Sequence, residues 1–419
     1  MSYAGGRKPA IVADLFHLDL ALILQRGDDI MFKKWLALTA ATVMLTGLLA
    51  GCGGAATTSS NDKEIKIGAN IELTGGVADY GKQTLNGMLL AIKEVNNAGG
   101  VLGKKIVLVQ ADNKSEASEA GNATTKLITQ DKVSAMLGPV TSSNALASVQ
   151  IAQDNKVPLI TPTGTNTKIT VDDNKKVRPY AFRGCFIDPF QGVIMANFAS
   201  KTLNAKTAVM YIDSSSDYSK NLGESFEESF AKVGGTVIGK EAFLQKDQDF
   251  KAALTKIKAM NPEVIFLPAY YEEVGKIVKQ AREIGITVPI IGTDGWDNAK
   301  ISEIAGAAAL NNTFFSNHYS PEDTEQRVSK FVEAYKKEYN EAPSAFAALG
   351  YDTTLMLVDA IKRANSAEPA KIRDAVEQTK DLQLVTGVLT LDANHNPIKS
   401  AVVIELKDGK RTFREKVNP

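Results

Sequence analysis

The stretch IKIGANIEL (residues 65–73), then TGGVADYG (residues 74–81), then QTLNGMLLAIKEVNN (residues 83–97) decides the fold. The first piece is a short, isoleucine-rich apolar run, the pattern of a buried strand. The glycine-bearing segment behind it breaks that run and carries Tyr80 to a helix entrance. The third piece is amphipathic and stops at Ala98-Gly99-Gly100, a glycine terminus. A second strand candidate at residues 105–110 completes a strand–helix–strand unit, the building block of parallel sheets.

The rhythm repeats along the chain. Further strands are predicted at residues 133–137, 159–161, 208–212, 264–268 and 290–292. Helices are predicted at 118–129, 145–153, 222–232, 250–260, 273–284, 325–339 and 347–364. Residues 387–392 and 400–407, the latter turning at Asp408-Gly409, read as a terminal pair of strands. A chain of 419 residues exceeds what one core usually serves. The expected fold class is therefore α/β, with two doubly wound parallel-sheet lobes and a cleft between them.

Upstream, Lys33-Lys34 precedes an apolar run from Trp35 to Leu49, and the run ends at Leu49-Ala50-Gly51-Cys52. A basic start and an apolar core too short for a comfortable membrane span make residues 31–51 a signal peptide. Small residues before Cys52 resemble the lipobox of bacterial lipoproteins, which implies a lipid on the Cys52 thiol and an anchored chain. The alternative is an ordinary cleaved signal. Residues 1–30 then read as sequence upstream of the true start, and residues 52–63, rich in Gly, Ala, Thr and Ser, as a flexible tether.

Composition excludes several function classes. Lys plus Arg number 48 and Asp plus Glu number 48, so there is no basic footprint for nucleic acid. With Cys52 lipidated, Cys185 is the remaining thiol, which rules out an intramolecular disulfide or a cysteine metal cluster. Cys185 itself reads as a small buried hydrophobe. His17, His318 and His395 are scattered, so no metal site and no cofactor are expected. No HExxH, GxSxG, CxxC or GxGxxG falls in a strand–turn–helix context. The segment from Gly99 to Lys105 has the wrong glycine spacing for a phosphate loop and reads as a turn.

What remains is polar and aromatic residues just past the carboxyl ends of strands, where ligands bind in open α/β sheets. The first such loop presents Tyr80. The second, Val140-Thr141-Ser142-Ser143-Asn144, opens a helix and offers hydroxyls and backbone N–H groups suited to a carboxylate, or merely an N-cap at Ser142 or Ser143. Thr163 and Thr165 surround a glycine after the next strand and offer hydroxyl or carbonyl oxygens. In the second half, Tyr218, Tyr270 and the run Thr293-Asp294-Gly295-Trp296 follow three more strands. An acid beside an aromatic wall pairs with an ammonium; the same Asp294-Gly295 also reads as a simple turn.

Residues 74–81, Gly87, residues 96–103, Ile160-Thr161-Pro162, Phe182-Arg183 and residues 188–192 together carry a resemblance that spans nearly the whole body of the chain. It resembles the type I periplasmic-binding-protein fold, and most of all the leucine and leucine-isoleucine-valine receptors of ABC transporters. The resemblance implies a hinge between lobe 1 (64–184 and 317–386) and lobe 2 (185–316 and 387–419), with chain crossings near Gly184, Ser316 and Gly387. It implies that Ser142, with Val140 and Thr141, takes an α-carboxylate, and that the turn from Thr163 to Thr165 holds both charged groups. Asp294 takes the ammonium, where the best-known members carry glutamate. Tyr80, Tyr218 and Tyr270 match aromatic pocket positions, and Trp296 is an added wall. The disulfide of some relatives would need cysteines near Ser115 and at Thr141, and neither is present.

The implied partners are a branched-chain amino acid, the permease subunits of an ABC importer, and a membrane through the lipid on Cys52, with the protein a monomer. An aliphatic side chain adds roughly 1.5–3 kcal/mol on burial. Alternatives within the fold are receptors for amides, urea or aromatic acids, or a sensor that signals the closed state. An enzyme is disfavoured because no nucleophile, base and orienting group can be picked out.

Overall fold

Residues 63–418 are described by a computed structural model; the expected signal peptide (31–51), Cys52 and most of the expected tether (52–63) lie outside them. The first sheet holds β1 (Glu64–Ile71), β2 (Lys105–Asp112), β3 (Ala135–Leu137), β4 (Leu159–Thr161) and β5 (Ala181–Arg183), in the order β2-β1-β3-β4-β5 and parallel throughout. Helices α1 (Ala78–Asn97), α2 (Ala117–Thr129) and α3 (Ser142–Asp154) connect them. Parallel strands covered on both faces must be apolar on both. On β1 one face is Ile65, Ile67, Ala69 and Ile71, all buried; the other is covered too, with Gly68 and Asn70 buried and Lys66 half-buried, and there the buried Asn70 is held by hydrogen bonds to Ala120 and Thr124.

The second sheet contains β6 (Thr207–Asp213), β7 (Thr236–Phe243), β8 (Val264–Phe266), β9 (Ile290–Gly292) and β10 (Thr313–Asn317). Helices α4 (Asp188–Asn197), α5 (Asp217–Lys232), α6 (Lys251–Met260), α7 (Tyr271–Glu283) and α8 (Lys300–Ala305) flank them. The chain then returns to the first sheet through α9 (Gln326–Tyr339), α10 (Ala345–Ala364) and α11 (Pro369–Glu377), with α10 lying along α1. That approach is close because glycines face backbone from both sides. A Cβ on Gly87 would lie 2.0 Å from the Ala347 carbonyl, and one on Gly350 2.2 Å from that of Thr84.

The expected terminal strand pair does not form. Strands β11 (Leu382–Leu384), β12 (Gly387–Leu391) and β13 (Pro397–Ile398) make their own small antiparallel sheet. It is fastened to the first lobe. Val385 and Thr386 donate backbone N–H groups to Asp352 at 2.9 and 2.8 Å, and His395 stacks on Phe182 with ring centres 4.3 Å apart. Gly387 therefore opens the middle strand of that sheet, and the chain joins the second sheet only at β14 (Ala401–Lys407). This strand runs antiparallel to β10 and pairs with β15 (Lys410–Val417). Asp408 and Gly409, with φ of 49° and 74°, supply the two left-handed residues that such a tight hairpin needs.

Candidate functional site

At the first lobe's rim, α3 begins at Ser142 after an extended Thr141, so its first backbone N–H groups lack partners within the helix. Two of the groups expected to receive a ligand are already occupied. Glu72, just past β1 and fully buried, accepts from the backbone N–H groups of Val140 (3.1 Å) and Thr141 (3.0 Å). The Thr141 hydroxyl and the Asn144 amide each add a bond of 2.9 Å. Burial raises the carboxyl of Glu72 above its usual value against the pull of these four donors. Val140 and Thr141 thus hold an internal carboxylate and shape the helix entrance.

Ser142 and the threonine turn remain. The Ser142 hydroxyl oxygen accepts from the Asn166 N–H at 3.2 Å, which leaves its own proton to donate. Thr163 donates to the Val140 carbonyl at 2.6 Å and ties the two loops together. The Thr165 hydroxyl is buried and makes no hydrogen bond of ordinary geometry among the described residues; it faces the buried Asp188 carboxyl, which it helps to stabilise. Beneath this turn lies Arg183, whose guanidinium donates to the carbonyls of Gly164 (2.6 Å) and Asn166 (2.7 Å).

On the second lobe Asp294 opens a one-turn helix after β9 and is buried. Its Oδ1 accepts from Tyr218 (2.7 Å) and from the Gln191 amide (3.0 Å), while Oδ2 meets His318 Nε2 at 2.9 Å. Burial pushes the His318 imidazole below its usual value, with Asp294 pulling the other way. The phenol of Tyr218 is held well above its usual value, first by burial and then by Asp294, so it stays a neutral donor. Gly295 makes the crowding tolerable: a Cβ there would lie 2.9 Å from both the Ala269 carbonyl and the Tyr218 hydroxyl. Tyr270 stacks on Tyr218 at 5.0 Å.

Trp296, expected as a wall, turns instead into the core of its own lobe. Its indole donates to the Leu267 carbonyl at 3.0 Å, its ring sits near Phe315, and a Cβ on Gly292 would lie 2.1 Å from it.

The two lobes are in contact in this structure. Tyr80 on α1 donates to the Gly295 carbonyl, accepts from the Tyr271 N–H at 3.0 Å, and meets Tyr270 edge-on at 5.7 Å. Ser143 donates to Asp217 at 3.1 Å, Asn166 donates to the Asp217 carbonyl at 2.9 Å, and Lys300 pairs with Asp79 at 2.5 Å. Tyr80, Ser142, Thr163, Thr165, Tyr218, Tyr270 and Asp294 are all buried in this arrangement. Glu72, Gln191 and His318 belong to it too and were not singled out from the sequence. A charged residue ending the apolar run of β1 was the one available signal for Glu72.

Two α/β lobes thus meet over a buried carboxylate, three tyrosines and the hydroxyls of Ser142 and Thr165. The chain belongs to the periplasmic binding protein family, whose profile matches residues 64–411. It is 30% identical over 328 residues to a Leu/Ile/Val-binding protein of Rhizobium johnstonii, covering 78% of this chain and 87% of that protein. Among solved structures, the branched-chain amino acid transporter substrate-binding protein LivJ of Streptococcus pneumoniae, in complex with isoleucine, is 42% identical. The match has a TM-score of 0.80 and covers 85% of this chain and 100% of that one. The leucine-binding protein LivK of Thermotoga maritima is 39% identical with a TM-score of 0.80, covering 85% and 99%.

Proposed function

We propose that this chain is the extracytoplasmic binding component of an ABC importer, taking leucine, isoleucine or valine between its lobes. The observation that carries the reading is Asp294: a buried carboxylate whose three partners, Gln191, Tyr218 and His318, are uncharged donors once burial keeps the imidazole neutral. A buried charge needs a counter-charge, and a ligand ammonium supplies it. Across the cleft the Ser142 and Thr165 hydroxyls donate to the carboxylate, and the rings of Tyr80, Tyr218 and Tyr270 cover the aliphatic side chain. The names of the relatives support this ligand class.

Binding couples to closure because the ligand touches both lobes only when they are shut. The hinge lies where the chain changes sheet, near Gly184, Ser316 and Lys399. A lipid on Cys52 holds the protein, as a monomer, at the membrane beside its permease, with residues 52–63 as the tether. Substituting Tyr80→Phe removes the hydroxyl that joins Gly295 and Tyr271 across the cleft. Leucine affinity should fall by about 1–2 kcal/mol, roughly 5- to 30-fold, by calorimetric titration, since those bonds exist only in the closed form.

The reading is tested by stripping bound ligand through unfolding and refolding, then screening the twenty amino acids for a rise in Tm. A ligand that binds the native state alone must stabilise it. A rise with leucine, isoleucine or valine is the expected result; no rise with any amino acid moves the ligand to another class and sinks the proposal.

A further inference from the structure

Asp294 is gripped from the strand by which the chain leaves the second lobe. His318 directly follows β10, its ring stacks on Phe186 with centres 3.7 Å apart, and its Nε2 lies 2.9 Å from Asp294 Oδ2. The side chain is 1% exposed, and Nδ1 has no hydrogen-bond partner among the described residues. An imidazole with one proton, on Nε2, donates to Asp294 and leaves the carboxylate's charge unanswered. A second proton would sit on Nδ1 without an acceptor and would put a cation where the ligand's ammonium has to bind.

We propose that His318 is a positioning residue for the ammonium subsite: as a neutral donor it fixes Asp294 and leaves its negative charge to the ligand, and its protonation competes with ligand binding. The proposal rests on the receptor reading above.

Several charged groups surround the pair. Asp294 and Asp297 lie on the turn after β9, and Lys399 lies ahead of β14; all three act on His318. Asp188, at the start of α4, is close enough to interact electrostatically with Asp294. Asp297 is itself paired with Arg411. Burial lowers Lys399 to about 8, so it stays protonated as the pH falls from 7 to 5. Asp188, raised to about 7 chiefly by burial, does titrate in that interval. Its neutralisation also weakens the field on an ammonium. His318 gains its proton below its ordinary value of 6.5. The two contributions are therefore separated by substitution.

The Kd for L-leucine is measured on stripped protein from pH 7.5 to 5 for the native sequence, His318→Gln and Asp188→Asn. Affinity of the native sequence should fall on acidification, by up to about tenfold per pH unit once His318 titrates. In His318→Gln, which keeps an N–H donor for Asp294, the fall should be shallower. An equal slope in His318→Gln, or a slope abolished only by Asp188→Asn, overturns the proposal. A second readout needs no variant. In NMR titration of the histidine rings, leucine should lower the pKa of His318, and an unmoved value overturns the assignment. Failure to bind leucine at any pH sinks the receptor reading itself, whereas pH-independent binding sinks only the role of His318.

Discussion

Replacing Asp294 with alanine should weaken leucine binding by about 2–5 kcal/mol, roughly 30-fold to several thousand-fold, with the fold retained. The carboxylate stands between three fixed donors, at 2.7, 3.0 and 2.9 Å, and the ligand's ammonium. Truncation strands the donors as well as the ammonium, which is why the loss exceeds that of one hydrogen bond. The fold should survive because the side chain lies on a short turn at the lobe's rim, while the adjacent core is filled by Trp296. Calorimetric titration together with a urea midpoint separates the two effects. Unchanged affinity with an unchanged midpoint would remove Asp294 from the site. Asp294→Glu keeps the charge on a longer side chain and should recover part of the affinity, limited by the room left by Tyr218 and Gln191.

Much of this architecture was legible because central parallel strands are apolar on both faces. Residues 159–161 and 290–292 were bounded as they stand, being short apolar runs between loops. Strand β5 escaped because a three-residue strand carrying Arg183 does not look like a core strand. The charge is nevertheless buried, its donors directed at carbonyls of the Thr163–Asn166 turn. Strand β7 escaped because it is a half-exposed edge with Lys240 and Glu241 in it. The tyrosines and Asp294 lie past strand ends, as their sequence positions suggest, and all are buried; their role toward a ligand is the proposal made above. The direction of Trp296 was not legible, since one helical turn sends side chains two residues apart in different directions. Partners far along the chain were invisible in principle. Glu72 meets Thr141 across 69 residues and Gln191 meets Asp294 across 103, and no local pattern records either pairing. The same holds for β12, whose period suits a strand but says nothing about which strand it pairs with.

Replacing Glu72 with alanine should cost about 2–4 kcal/mol of stability, with a sign in its pH dependence that distinguishes two roles for the carboxylate. Its removal leaves the Val140 and Thr141 N–H groups and the Asn144 amide without their acceptor at a buried helix start. If the helix terminus stabilised mainly the ionised acid, the native protein's advantage over Glu72→Ala would grow as pH rises. Burial acts in the opposite sense and is the larger influence, raising the folded-state pKa above 4.5. A raised carboxyl contributes its full stability below the unfolded value and loses it as pH rises through the folded one. The gap between native and variant urea midpoints should therefore be wider at pH 5 than at pH 8. A gap that stays flat from pH 8 to pH 5 and narrows only as pH falls below 4.5 would mean that the helix dipole outweighs desolvation and that Glu72 sits there as a fixed anion. It would then repel a ligand carboxylate, whereas a proton-sharing Glu72 leaves the field at Ser142 and Thr165 open to one.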